Sequence, residues 1–145
     1  MTVRFSEIDD GNRADHTRLG PGDRCLYLFE YTSGRDYSFS ATNNLINNLK
    51  KKPTSSESQR RYKAQAIAQC GGYFREGLDP AWLARATLVP IPGSKAADHP
   101  DFDDRMTQVA RAILPGLDVR PPVRQTQSLR ASHEVGDGER VSVEE

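Results

Sequence analysis

The sequence predicts an α/β domain built around a parallel strand pair, and three neighbouring stretches carry that prediction. Residues 86–91 form an apolar run in which Pro90 rules out an ordinary helix, so they read as a strand. From Phe102 onward, Met106, Val109, Ala110 and Ile113 recur at steps of three and four, which predicts an amphipathic helix over 102–114. Residues 117–123 return to strand character, with Pro121 and Pro122 restricting the end. Strand, helix, strand in this order is a βαβ unit, with parallel strands and a right-handed crossover, and ligands of such sheets gather at the carboxyl ends of the strands.

The other elements follow in chain order. Residues 1–23, rich in Asp, Arg, Asn and Gly, show no sustained period and read as a flexible lead-in. Residues 25–31 are a strand, 32–36 a turn-forming cluster and 37–39 a short apolar run, together an N-terminal β-hairpin. Ser40 or Thr42 caps a helix over 42–51, with Leu45, Ile46 and Leu49 on one side and Lys50, Lys51, Lys52 and Pro53 closing it. After a polar connector, Ser56 and Gln59 have capping-box spacing for a long helix, whose face carries Tyr62, Ala66, Ile67, Cys70, Tyr73 and Phe74. Gly71 and Gly72 weaken its last turns by about 1 kcal/mol each. Asp79-Pro80 opens a short segment over 81–85. The chain thus divides into a lead-in (1–23), an α/β core (24–123) and a polar, flexible segment (124–145).

A chain of 145 residues suits one core, and its 20 basic and 20 acidic residues cancel. With no global field, partners must be recognised locally, and nucleic acid is disfavoured even though Arg60-Arg61-Tyr62-Lys63 gathers three cations beside a tyrosine. No run is long and apolar enough for a membrane span and no signal pattern opens the chain, so a cytoplasmic location is the default expectation. Cys25 and Cys70 lack any CxxC pairing and read as core thiols.

The most informative stretch is Val89-Pro90-Ile91-Pro92-Gly93-Ser94-Lys95, an apolar strand running into a small-residue loop with one lysine. Backbone amides near Gly93 and Ser94, with the mobile charge of Lys95, can cradle phosphate or pyrophosphate. A Pro/Gly turn with a solvated lysine is the competing reading. Asp98, His99, Asp101, Asp103 and Asp104 contain metal-ligating residue types, yet acidic residues before a helix also stabilise its positive end, and no metal-binding spacing is present. The three lysines at 50–52 suit a solvated helix end or, in the other reading, a polyanion site. His16, His99 and His133 share no catalytic spacing.

Read in order, Tyr31-Thr32-Ser33-Gly34, Asn44 to Lys50, Val89-Pro90-Ile91-Pro92, Arg105-Met106-Thr107-Gln108 and Arg124-Gln125-Thr126-Gln127-Ser128-Leu129 resemble the phosphoribosyltransferases of the competence-protein ComF type. The resemblance spans roughly residues 25 to 140. It implies a partial parallel sheet of the type I phosphoribosyltransferase kind with flanking helices. It also implies a pyrophosphate site at Pro92, Gly93, Ser94, Lys95 and Arg105, and a flap containing Arg124, Gln127, Ser128 and Leu129 that closes over the donor.

The chain departs from that pattern in three places. Two isolated cysteines do not make the zinc ribbon that opens family members, and Arg105-Met106-Thr107-Gln108 keeps only the arginine and glutamine of the helix signature. The acidic pair followed by a Thr-Thr-Gly loop, which holds the ribose 5-phosphate, does not occur in these residues. The expectation is therefore a phosphoribosyltransferase-like protein, incomplete for catalysis alone, that binds phosphate or pyrophosphate. Mg2+ and phosphoribosyl pyrophosphate enter only if a complete enzyme is formed. The alternative is a non-catalytic regulatory or protein-interaction module, self-associating or pairing with a partner through an exposed sheet edge.

Overall fold

A computed structural model describes residues 3–130 of the chain. In order these form β1 (Ser6–Glu7), a 3-10 turn (Arg13–Asp15), β2 (Leu26–Tyr27), α1 (Ala41–Leu49), α2 (Glu57–Gly77), α3 (Pro80–Leu83), β3 (Thr87–Leu88), α4 (Arg105–Ile113) and β4 (Asp118–Val119). The architecture is mixed α and β, with one antiparallel strand pair, β1 with β2, and one parallel pair, β3 with β4, among the described residues. The parallel pairing of the strands that flank α4 agrees with the βαβ expectation.

The helices begin where local chemistry favours it. The Ser40 hydroxyl accepts from the Asn43 amide (3.0 Å), the Ser56 hydroxyl from Gln59 (3.4 Å) and the Asp79 carboxylate from Trp82 (2.7 Å), each satisfying a first-turn donor. Helix α4 starts at Arg105 rather than at 102, because the Asp103 carboxylate accepts the Arg105 amide (3.1 Å) and so draws the preceding residues into a turn. Leu45 and Leu49 of α1, Ala66 of α2 and Val109 of α4 form the buried cluster, with Ile46, Ile67, Cys70, Tyr73 and Phe74 packed against it. At the crossing of α2 and α4, a Cβ on Gly71 would lie 2.7 Å from the Ala112 carbonyl. The glycine that weakens the helix in isolation therefore permits the contact that buries it.

The strands are short. Pairing is confined to Thr87 with Asp118 and Leu88 with Val119, extended by the Arg120 amide on the Leu88 carbonyl (2.9 Å). Pro90 and Pro92 have no N–H to give a ladder, so the chain leaves the sheet two residues after β3 starts. Across the pair, the Thr87 hydroxyl donates to Asp118 (2.8 Å).

The N-terminal hairpin differs from expectation. β2 pairs not with residues 37–39 but with β1, in the register Ser6 with Tyr27 and Glu7 with Leu26. Apolar burial selects this partner: Ile8 is buried, and the Phe5 ring lies 6.0 Å from that of Phe74 on α2. The Arg24 guanidinium adds a two-point contact to Glu7 (2.9 and 3.1 Å). Residues 37–39 instead turn, with the Ser38 amide and hydroxyl both donating to the Asp36 carboxylate. The 32–36 stretch is satisfied by a side chain rather than a strand. The fully buried Asn43 amide group donates to the carbonyls of Thr32, Arg35 and Asp36, and its oxygen accepts the Thr32 amide (3.1 Å).

Candidate functional site

The loop that follows β3 emerges at the carboxyl end of the parallel pair and faces the C-terminal end of α1. Between them lies a cleft of about 470 Å³, lined by Gly93, Ser94 and Lys95 on one side, Lys50, Lys52 and Pro53 on the other, and His99, Asp101, Asp103 and Arg105 along its floor. Four of the five predicted pyrophosphate-site residues meet here. Pro92 instead lines an adjoining apolar groove of about 560 Å³, which shares Lys50, Gly93, Asp103 and Arg105 with the cleft. Gly93 does not adopt a positive φ, and a Cβ there would meet only the Asp103 carbonyl, at an ordinary 3.5 Å.

Lys50 and Lys52 were not among the residues the loop motif singled out. Their signal in the sequence was the triple lysine before Pro53, whose position opposite the loop depends on the α1–α2 turn. The chain has only five lysines, and three of them line this cleft. A fourth, Lys63 on α2, is buried beneath it, donating to the Lys51 carbonyl (2.6 Å) and to Asp103 (2.5 Å). A protein of zero net charge thus has four cations, Lys50, Lys52, Lys95 and Arg105, around two carboxylates in one concavity.

The carboxylates are committed to cations. Asp103 lies between Lys63 and Arg105, with the Arg105 Nη1 at 3.2 Å. Asp101 accepts from Lys52 (2.9 Å) and from the Thr54 hydroxyl (2.8 Å), which together hold its carboxyl below the usual range, Lys52 contributing most. His99 Nδ1 accepts the Asp101 amide (3.0 Å). The acidic cluster therefore acts mainly as ion-pair partner and turn former, and neither Asp101 nor Asp103 fits a Mg2+ ligand. Among the described residues no group of three or more His, Cys, Asp or Glu could hold a metal ion.

Two segments that the sequence flagged separately, the loop and the flap, are in direct contact. The Lys95 ammonium donates to the Leu129 carbonyl (2.8 Å), the Ala96 amide donates to the Ser128 hydroxyl (3.0 Å), and the Leu129 amide donates to the Ser94 carbonyl (2.7 Å). Arg124 lines a smaller cavity of about 270 Å³ on the α4 side of the loop, together with Lys95 and Arg111. Gln127 is exposed and is not brought to the cleft. Residues 131–145 of the flap expectation, His133 included, lie outside the described residues.

The remaining candidates separate. Arg60 donates to the Ser55 carbonyl, Arg61 pairs with Glu57 one turn away, and Lys63 is buried, so the basic tetrapeptide does not form one face. Burial raises the Cys70 thiol above its ordinary value, which keeps it protonated and unreactive near neutral pH. Among the described residues no helix is long and apolar enough to cross a membrane. No protein-family model, curated protein or solved structure matches this chain.

Proposed function

We propose that this is a phosphoribosyltransferase-like α/β protein that binds phosphate or pyrophosphate in the cleft between α1 and the loop after β3. The observation that carries this reading is the convergence of Lys50, Lys52, Lys95 and Arg105, from three separate parts of the chain, around two neutralised carboxylates. Ammonium and guanidinium groups in a concave, partly desolvated setting favour a compact polyanion. Phosphoribosyl transfer would need, in addition, a second anion site for the 5-phosphate to hold both ends of the donor, and the sequence contains no acidic pair with a Thr-Thr-Gly loop to form one. The reading is therefore of binding without transfer by these residues alone.

The test is calorimetric titration of the full chain with pyrophosphate at low ionic strength. Binding is expected to weaken about tenfold in Lys95→Ala and in Lys50→Ala, the order of one charge-assisted contact, and to weaken further with added salt. Equal affinities in parent and variants would mean that these lysines are solvated surface groups. The same result would favour the second reading, a non-catalytic interaction module. The observation behind that reading is the exposure of Val89, Ile91 and Val123 beside a parallel sheet of only two strands, among the described residues.

A further inference from the structure

We infer that residues Ser128 and Leu129 form an intrachain strap that competes with anions for the loop after β3, so that ligand binding requires their release. This rests on the anion-binding reading of that loop. Two donors at the end of the loop, the Lys95 ammonium and the amide of the buried Ala96 beside it, are both occupied, and by oxygens more than thirty residues away in sequence: the Leu129 carbonyl and the Ser128 hydroxyl. These two uncharged acceptors take up donors that oxygens of a phosphate could otherwise engage.

The third contact makes occupancy exclusive. The Leu129 amide donates to the Ser94 carbonyl, an acceptor that an anion cannot satisfy and would repel. An anion at Lys95 and Ala96 therefore displaces the strap rather than adding to it, and the Ser94 carbonyl turns to water.

The strap is built to be displaced. Ser128 is exposed, Gln125 and Leu129 are half-buried, and the segment from Arg124 to Gln127 is polar, so little apolar contact opposes release. A phosphate offers Lys95 and Ala96 charged acceptors, which bind such donors about twice as strongly as neutral ones. When the binding-competent state is only partly populated, the apparent dissociation constant is the intrinsic one divided by that population. Weakening the strap must then tighten anion binding, the opposite of removing a ligand-contacting residue.

The experiment compares pyrophosphate affinity of the full chain with that of Ser128→Ala, Ser128→Thr and Leu129→Pro. Ser128→Ala removes the acceptor for the Ala96 amide, and Leu129→Pro removes the donor to Ser94, while both leave the Lys95 ammonium and the Ala96 amide themselves in place. Both are expected to tighten binding by about fivefold, the net worth of one hydrogen bond, while Ser128→Thr retains the hydroxyl and the parent affinity. Hydrogen exchange at the Leu129 amide should accelerate when the parent chain is saturated with pyrophosphate. If pyrophosphate binds in a Lys95-dependent manner but Ser128→Ala leaves affinity unchanged or weakens it, the strap is not a competitor. If no variant binds pyrophosphate, the anion-binding reading fails and the strap inference fails with it.

Discussion

The helical layer and the strand-and-loop layer of this molecule are held by different means. In the first, α1, α2 and α4 bury Leu45, Leu49, Ala66 and Val109 together, and α2 approaches α4 closely at Gly71. In the second, the parallel pair has two residues per strand, and Val89 and Ile91, just beyond it, are largely exposed. Order there comes from polar ties instead: Thr87 to Asp118, Arg120 to Asp118, and the strap on Ser94, Lys95 and Ala96. The difference teaches where stability and function reside. The tightly packed layer supplies a fixed wall, and the loosely tied layer carries the candidate site, as expected where binding requires local opening.

The buried ion pair that joins the two layers gives the largest expected effect. Lys63 extends from α2 to Asp103, at the base of the loop, with both side chains almost fully enclosed. Lys63→Met keeps the stem volume but leaves Asp103 with Arg105 alone and deprives the Lys51 carbonyl of its donor. A loss of about 3 kcal/mol is expected, because breaking a buried pair strands a charge. Chemical denaturation read by circular dichroism measures it. A loss below about 1 kcal/mol would mean that Asp103 is well solvated through the cleft and that the two layers are only weakly joined.

Gly71→Ala comes next and probes the helical layer by itself. The added methyl would sit 2.7 Å from the Ala112 backbone, which cannot rotate away as a flexible side chain could. Helix propensity favours alanine by about 1 kcal/mol, and overpacking opposes it by more, so a net loss of about 2 kcal/mol is expected. Gly72→Ala is the internal control: its Cβ would meet only the end of Arg75, at 4.0 Å, and the propensity gain should appear undiminished. A stabilised Gly71→Ala would show that α2 and α4 separate easily.

What the sequence made legible follows the same division. The starts of α1, α2 and α3 were readable because Ser40, Ser56 and Asp79 act on amides within three residues of themselves, whereas α4 has no such side-chain cap and starts three residues later than its apolar period suggests. The parallel pair was readable because an apolar run, a 3.6-residue period and a second apolar run lie next to one another. The partner of β2 was not, since what selects Ser6–Glu7 is the packing of Phe5 against Phe74, on a helix some seventy residues away, together with the burial of Ile8, and residues 37–39 have the local composition of a strand. For Gly71 only half of the account is local: propensity counts its cost to the helix, whereas its packing role depends on Ala112 across the crossing. In the candidate site, the loop residues were legible from the strand-to-loop transition. Lys50 and Lys52 were not, because a lysine run at a helix end looks the same whether it faces water or a cleft.

The smallest effect belongs to the sheet. The Asp118 carboxyl is held below its ordinary value of 3.8, first by its hydrogen bond from Arg120 and then by that from Thr87. A carboxylate whose folded value is depressed contributes stability that is present above the ordinary value and is lost as pH falls through the folded one. Asp118→Asn should therefore lower the unfolding midpoint only slightly at pH 7, and the gap from the parent should close as pH falls below the ordinary value of 3.8, as the parent loses the same contact by protonation. Thermal unfolding across that range measures the gap. If Asp118→Asn costs as much at neutral pH as Gly71→Ala, the two-residue ladder holds the fold as firmly as the helical crossing does, and the contrast between the layers collapses. A gap that stays constant all the way to acid unfolding of the parent would instead place the effect of the substitution in something other than the carboxylate's charge, such as the packing of the Thr87 and Arg120 side chains around it.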